Sequence, residues 1–213
     1  KVGKDVDDLQ VGDHVAVEPL LACGKCENCR AGNYNFCNKA VSTDGAGNFL
    51  GFSEDGGMAE FANVQGVFAH KMPEDMDFEL GALAEPTAVV YEAIKKSHLR
   101  EGQNVAVMGA GPIGLLEAVL AKIAGANHVY IVDVSKVRLD KAKELGIENA
   151  LDPSKDDVEA IIKKDLPNGV DITFECAGVQ ATFDSALKVT KRTGIIQVVA
   201  LYAKPVTMNM TDD

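Results

Sequence analysis

Five cysteines occur in the chain, and four of them fall within fifteen residues: Cys23-Gly24-Lys25-Cys26-Glu27-Asn28-Cys29-Arg30, then seven intervening residues from Cys29 to Cys37. Two-residue gaps let one tight loop turn successive sulfurs onto a single point, and four soft thiolates at about 2.3 Å are a ligand set of tetrahedral zinc. Gly24 and Gly32 permit the left-handed backbone such a loop needs, and Lys25 and Arg30 offset part of the thiolate charge. Four thiolates leave no coordination position open, so the expected zinc is structural and its binding serves folding rather than chemistry. Two disulfides or free thiols are the alternatives, and they fit poorly with a chain in which no secretory signal is read. Cys176 stands alone at the end of an apolar run and reads as a small buried hydrophobe.

The second chemistry-bearing group is Gly109-Ala110-Gly111-Pro112-Ile113-Gly114, which follows an apolar run and opens an apolar helical stretch. Strand, G-x-G-x-x-G and helix in that order form a dinucleotide cradle. Gly109 makes the tight turn, Gly111 lets backbone approach a pyrophosphate, and Gly114 lets the helix pack close to the strand. The helix N-terminus adds N–H groups and positive dipole, and Pro112 suits a first helical turn. Asp133 ends the next apolar run, nineteen residues after Gly114. A carboxylate there accepts both ribose hydroxyls of an adenosine and repels a 2′-phosphate, so NAD is favoured over NADP, with Lys136 and Arg138 nearby in sequence. A turn that holds a flavin or a methyl donor is the alternative for the glycines, and a helix N-cap is the alternative for Asp133.

These groups need elements to position them. Residues 1 to about 72 alternate short β-like pieces (14–17, 57–64 and 67–70) with Gly- and Asp-rich turns, an all-β region with loops. From Asp75 apolar residues recur at helical spacing, interrupted by Glu85-Pro86, which predicts two short helices. Beyond Gly102 the pattern alternates strictly. Strands are predicted at 104–108, 128–132, 149–151, 170–175 and 194–201, and helices at 112–124, 135–145, 157–164 and 181–190. Such alternation specifies an α/β fold with a parallel, doubly wound sheet, and sets the expected domains at 1–100 and 101–213.

Composition excludes other classes. The 213 residues are 46% hydrophobic and carry a formal charge of −11, enough apolar content for a sizeable core in one or two domains. The acidic balance and the lack of a basic block argue against nucleic acid and against an anionic membrane surface. Glu117 and Lys122 break the longest apolar stretch, so none reaches the roughly 18 residues of a membrane span. The expected location is the cytoplasm.

Gly12-Asp13-His14-Val15, the four-cysteine lobe, Gly56-Gly57-Met58-Ala59-Glu60-Phe61, Gly81-Ala82-Leu83-Ala84-Glu85-Pro86 and Gly109 to Gly114 occur here in one order. Together they closely resemble the zinc-containing medium-chain dehydrogenases, and the Glu85-Pro86 pair resembles most the butanediol and polyol (sorbitol-type) branch. The resemblance covers essentially the whole chain. It implies part of a GroES-like β-barrel domain with a zinc lobe, followed by a Rossmann NAD-binding domain. It also implies a second, catalytic zinc, for which Glu85 fits the third ligand position; taken alone, Glu85 suits the N-cap of a helix opening at Pro86. By the same resemblance Pro112 and Ile113 offer backbone N–H groups to the pyrophosphate, Asp133 holds the adenosine ribose and Arg138 lies beside it. Val199, Ala200 and Leu201 meet the nicotinamide carboxamide, with Ala200 where the family often has Gly.

The implied reaction is hydride transfer between a secondary alcohol, butanediol- or acetoin-like, and NAD, in a homodimer or homotetramer. Within the family the alternatives are threonine and sorbitol dehydrogenases, and the zinc-free quinone reductases are disfavoured by the cysteine lobe and Asp133. From another class comes a non-catalytic zinc- and NAD-binding module. The chain starts Lys-Val-Gly-Lys and ends Thr-Asp-Asp just after an apolar run, so the expectation is an internal fragment, inactive by itself. The other catalytic-zinc ligands would lie upstream, because residues 1–22 supply none, and the last strand of the coenzyme sheet would follow Asp213. His14, His70, His98 and His128 lack metal spacing and read as surface or packing residues.

Overall fold

The computed structural model describes residues 1–40, 48–209 and 211, and they form two compact units, 1–85 and 86–213. The helix that joins the two halves of the sequence therefore goes mainly with the second unit. In the first unit β1 (Val15–Val17) pairs antiparallel with β2 (Ala69–Lys71), and two isolated bridges, Leu20 with Phe49 and Leu50 with Glu54, tie the loops between them. The same unit holds two four-residue helices, α1 (Glu27–Arg30) and α2 (Phe78–Gly81), the latter capped by the Asp77 side chain.

The predicted strand at 57–64 does not form. Those residues find no ladder partner among the described residues, and Met58 and Phe61 are fully exposed. Alternating sequence alone cannot make a strand, because its N–H and C=O groups need a neighbouring strand to bond. The strand predicted at 67–70 starts later, since residues Gly66–Phe68 make a 3-10 turn first. The helices at 75–96 are α2 and α3 (Ala84–Lys96). Pro86 does not interrupt α3; it lies in its first turn, where a missing N–H costs nothing.

In the second unit the alternating pattern becomes β3 (Val105–Met108), α4 (Pro112–Ile123), β4 (Val129–Val132), α5 (Lys136–Glu144), β5 (Asn149–Leu151), α6 (Val158–Asp165), β6 (Val170–Glu175), α7 (Gln180–Val189) and β7 (Thr190–Val198). The strands form one parallel sheet in the order β5-β4-β3-β6-β7. β3 and β4 are buried at every residue, as continuous apolar runs with helices on both faces require. One face packs Val105, Val107, Ile131 and Phe174 under Ala118, Ala121 and Ala142; the other packs Ala106, Met108, Tyr130 and Val132 against Val158, Ile162 and Ala186.

Register is keyed at the N-terminal edge of the sheet. Asp171 Oδ2 accepts from the backbone and side-chain nitrogens of Asn104 at 2.8 and 3.3 Å, and its Oδ1 pairs with Lys191 of β7. β7 starts four residues before the predicted 194 because its pairing with β6 shifts register between Val170 and Ile172, which admits the polar stretch Lys191-Arg192-Thr193. No helix among the described residues is long and apolar enough to cross a membrane.

Glu117 breaks the apolar stripe of α4. It lies on the sheet-facing side with Gly114, Ala118 and Ala121, is fully buried, and neither carboxylate oxygen has a hydrogen-bond partner. Burial pushes its carboxyl up from 4.5 to about 8, so the native state keeps a proton that the unfolded chain releases. The stabilisation from that proton is complete below pH 4.5 and is lost as pH rises through about 8. Urea midpoints should therefore fall between pH 5 and 9 in the wild type. Glu117→Met should flatten that fall and raise stability at the alkaline end by about 2 kcal/mol.

Candidate functional site

The four clustered cysteines converge. Their sulfurs all lie within 4.8 Å of one another, with Cys26 and Cys29 at 3.4 Å and Cys23 and Cys29 at 4.0 Å. A tetrahedral ion 2.3 Å from each sulfur needs sulfurs about 3.8 Å apart. Local structure explains the convergence. Gly24 (φ 68°) and Gly32 (φ 83°) turn the chain through the left-handed region on either side of α1, which carries Cys29 and starts just after Cys26.

Asn28 closes the lobe. Its Nδ2 donates to Phe36 O at 2.7 Å and to Asn38 Oδ1 at 2.9 Å, bringing the residues that flank Cys37 back to α1. The spacing of cysteines drew attention away from Asn28; an amide between two ligands of one loop is the signal that could have found it. The Cys37 sulfur is fully buried and accepts the N–H groups of Cys23 (3.2 Å) and Lys39 (3.5 Å). Those donors, Cys23 first, pull its thiol down to about 6, while burial and the adjoining thiols push Cys29 up to about 12. Sulfurs this close cannot all be charged unaided, and a divalent cation is the partner that lets them be.

The dinucleotide cradle lies at the topological switch of the sheet, where the chain leaves β3 for β4 on one side and β6 takes the other. Ligands of open parallel sheets bind at such a point. Gly109 follows β3 at φ 103°. A Cβ on Gly114 would stand 1.8 Å from Gly109 O, so the helix approaches the turn more closely than any side chain permits. A Cβ on Gly111 would meet nothing within 4 Å. Its extended backbone (φ −67°) does not require glycine, which leaves access to a ligand as the reason for one.

α4 has no side-chain cap, so the N–H groups of its first turn have no intrahelical partner. Ile113 and Gly114 supply them. Pro112 does not, because proline carries no N–H, and the expectation of a Pro112 donor is corrected on that covalent ground.

Asp133 is nine-tenths buried and braces the cradle. Its Oδ2 accepts from Ala110 N at 2.7 Å, and its Oδ1 accepts from Ser135 N at 2.8 Å. Arg138 Nη1 lies 3.4 Å from Oδ2. The helix N-cap alternative for Asp133 does not hold, since Ser135 occupies the N-cap position of α5. Oδ2 is filled by Ala110 and Arg138, whereas Oδ1, with Ser135 N as its donor, retains a lone pair for a hydroxyl.

Val199, Ala200 and Leu201 come directly after β7. The amides of Val199 and Ala200 both donate to Glu175 O, at 2.9 and 3.0 Å. Glu175 is the residue that sequence reasoning missed here. Fully buried at the end of β6, its carboxylate accepts from Ala177 N, Gly178 N and Thr182 Oγ1, and so shapes the turn that the Leu201 carbonyl approaches at Gly178. A carboxylate ending an apolar strand, three residues before glycine, was the available sign. Cys176 packs against the same core, and burial beside Glu117 and Glu175 pushes its thiol up.

Glu85 is not brought together with other ligands. It is exposed, and the four-cysteine group is the sole cluster of metal-ligating side chains among the described residues. Nor does it cap a helix at Pro86. α3 starts at Ala84, which places Glu85 inside the first turn, where the helix dipole favours a carboxylate.

Comparison with known proteins shows the family. Residues 1–74 match the alcohol dehydrogenase GroES-like domain and residues 112–212 match the zinc-binding dehydrogenase family. The (R,R)-butanediol dehydrogenase of Bacillus subtilis (strain 168) is 37% identical over 100% of this chain and 58% of its own length. The chain belongs to the zinc-binding dehydrogenases. The sorbitol dehydrogenase of Bombyx mori is 35% identical over 99% of the chain and 60% of itself. A structure from Sinorhizobium meliloti 1021 bound to NADP superposes with a TM-score of 0.90 at 31% identity, covering 98% of this chain and 60% of that one. The chain thus spans little more than half the length of the relatives it matches.

Two outcomes follow from the geometry. Exhaustively dialysed protein should retain about one zinc per chain, and Cys37→Ser or a chelator should remove it and raise amide exchange in residues 23–37 without affecting β3 to β6. Gly114→Ala should cost about 3 kcal/mol in urea unfolding, because the Gly109 carbonyl must move.

Proposed function

We propose that this chain carries the structural-zinc lobe and the coenzyme-binding half of a zinc-dependent alcohol or polyol dehydrogenase that transfers hydride between a secondary alcohol, butanediol- or acetoin-like, and NAD. The observation that carries the reading is Asp133, a buried carboxylate bonded to the Gly109–Gly114 turn and positioned to accept from a ribose. NAD, when bound, supplies the hydride acceptor. The chain's own part is to hold and orient it: first-turn amides of α4 for the pyrophosphate, Asp133 and Arg138 for the adenosine, and the carbonyls that follow β7 for the carboxamide. The NADP in the Sinorhizobium meliloti structure leaves coenzyme choice open at the level of the fold; the charge of Asp133 favours NAD in this chain.

The four thiolates of Cys23, Cys26, Cys29 and Cys37 suit a zinc that fixes the lobe and takes no part in the reaction. For a second, catalytic zinc, Glu85 is the proposed ligand in the whole protein. Glu85 alone does not make a metal site. A polyol as substrate is the second reading, favoured by the 35% identity to the Bombyx mori sorbitol dehydrogenase.

Titration of the chain with NADH should enhance nicotinamide fluorescence and saturate, and Asp133→Ala should weaken NADH binding roughly ten- to a hundredfold. The enzyme containing this chain should reduce NAD⁺ with 2,3-butanediol faster than with sorbitol. The reverse order would favour the polyol reading, and no NADH binding at all would remove the coenzyme assignment.

A further inference from the structure

The ribose end of the cradle is surrounded by ion pairs. β4 and β5 run parallel with Val132 opposite Leu151, and Asp133 N donates to Leu151 O at 3.1 Å. The next residue on each strand is an aspartate, Asp133 after β4 and Asp152 after β5, on strands about 4.8 Å apart. Both are more than nine-tenths buried, at 9% and 8% exposure. Two buried carboxylates therefore end adjacent strands on the side of the sheet where an adenosine ribose is held.

Asp152 has its own set of partners. Its Oδ2 accepts from Lys155 Nζ at 2.5 Å, and its Oδ1 accepts from Ser154 N at 3.0 Å and Ser154 Oγ at 2.6 Å, while its amide donates to Asp156 Oδ2. Lys155 first, and then Ser154, hold its carboxyl down at about 2, so the charge is permanent at working pH. The cations nearest in sequence to the C-terminal ends of β4 and β5 are Lys136, Arg138 and Lys155, and each is tied to a carboxylate: Lys136 to Asp140, Arg138 to Asp133 and Lys155 to Asp152. A 2′-phosphate brought to this end would need a cation, and every one of the three is engaged.

We propose that Asp152 is a second coenzyme-selecting residue, which acts by holding Lys155 away from the adenosine ribose so that a 2′-phosphate meets two carboxylates and no free cation. The inference rests on the NAD reading above and adds a residue to it. Lys155 is the cation that can change sides most easily. Its side chain is 71% exposed against 11% for Asp152, and its long stem costs little to redirect once its anchor is gone. Arg138 is held by the same carboxylate that receives the ribose, so it cannot be freed without losing the NAD contact. Asp152→Asn keeps an oxygen for Ser154 and releases Lys155, which isolates the selecting role from the turn's structure.

Dissociation constants for NADH and NADPH, read from nicotinamide fluorescence of the whole chain, test this. The wild type should bind NADH more tightly than NADPH. Asp152→Asn should narrow the ratio about tenfold, chiefly by tightening NADPH, since a charge-assisted contact to phosphate is gained. Adding Lys155→Met to that variant should restore the wild-type ratio.

A ratio that stays within about twofold in folded Asp152→Asn, or a narrowing that survives Lys155→Met, overturns the proposal. Lys155→Met in the otherwise wild-type chain is an independent check that does not depend on the Asp152 variant folding: NADPH affinity should not fall, and a clear fall would show that Lys155 already serves the phosphate. Failure of the wild type to bind either dinucleotide would overturn the coenzyme reading and this inference together. NADH binding with an unchanged ratio would overturn this inference alone.

Discussion

The contact between the Gly109 carbonyl and the Cα of Gly114 is the constraint on which the second unit depends. A side-chain carbon at Gly114 would stand 1.8 Å from that oxygen, so the two backbones meet at a distance only glycine allows. This contact sets how close α4 approaches β3, and with it where the first-turn amides point. Asp133 maintains the arrangement from the neighbouring strand by accepting the Ala110 amide. The turn is thus held on one side by a backbone contact and on the other by a side-chain carboxylate.

The first unit relies on a different force. Its regular structure among the described residues is a two-strand ladder of three residues each, two short helices and two 3-10 turns, too little to hold a loop of cysteines by packing alone. What assembles residues 23–37 is local: glycines in left-handed turns, one asparagine bonded across the loop, and amides directed at the Cys37 sulfur. Those amides favour thiolate, and proximity of four thiolates demands a cation. Cofactor affinity and local folding are one property in such a lobe.

Much of the second unit was legible because buried parallel strands leave continuous apolar runs bounded by turn residues. β6 and β5 fall at the predicted positions, and β3 and β4 within one residue. β7 was misplaced because Lys191 and Arg192 are polar and their place in a strand comes from the shifted pairing with β6, a tertiary fact. Residues 57–64 failed for the converse reason, alternation without a partner. The cysteine cluster and glycine turn could be read because their function lies in spacing along the chain. Glu175 and Asn28 left fainter signs, since the bonds that give each its part are made only once the turns around it have folded. The Pro112 donor was an error of covalent chemistry, independent of structure.

Parallel strands have no hairpin to fix their alignment, and here Asp171 does so by gripping Asn104 on one side and Lys191 on the other. A slip of β6 by two residues would leave every side chain on its own face and escape the usual hydrophobic penalty. It would nevertheless carry the C-terminal end of β6 about 6.6 Å along the strand axis, removing Ala177 from its place against Gly109. The carboxylate at the bottom of the sheet is thus the ruler for the ligand-binding end at the top. Alignment errors that hydrophobicity tolerates are rejected by an ion pair and two hydrogen bonds at the opposite edge from the chemistry.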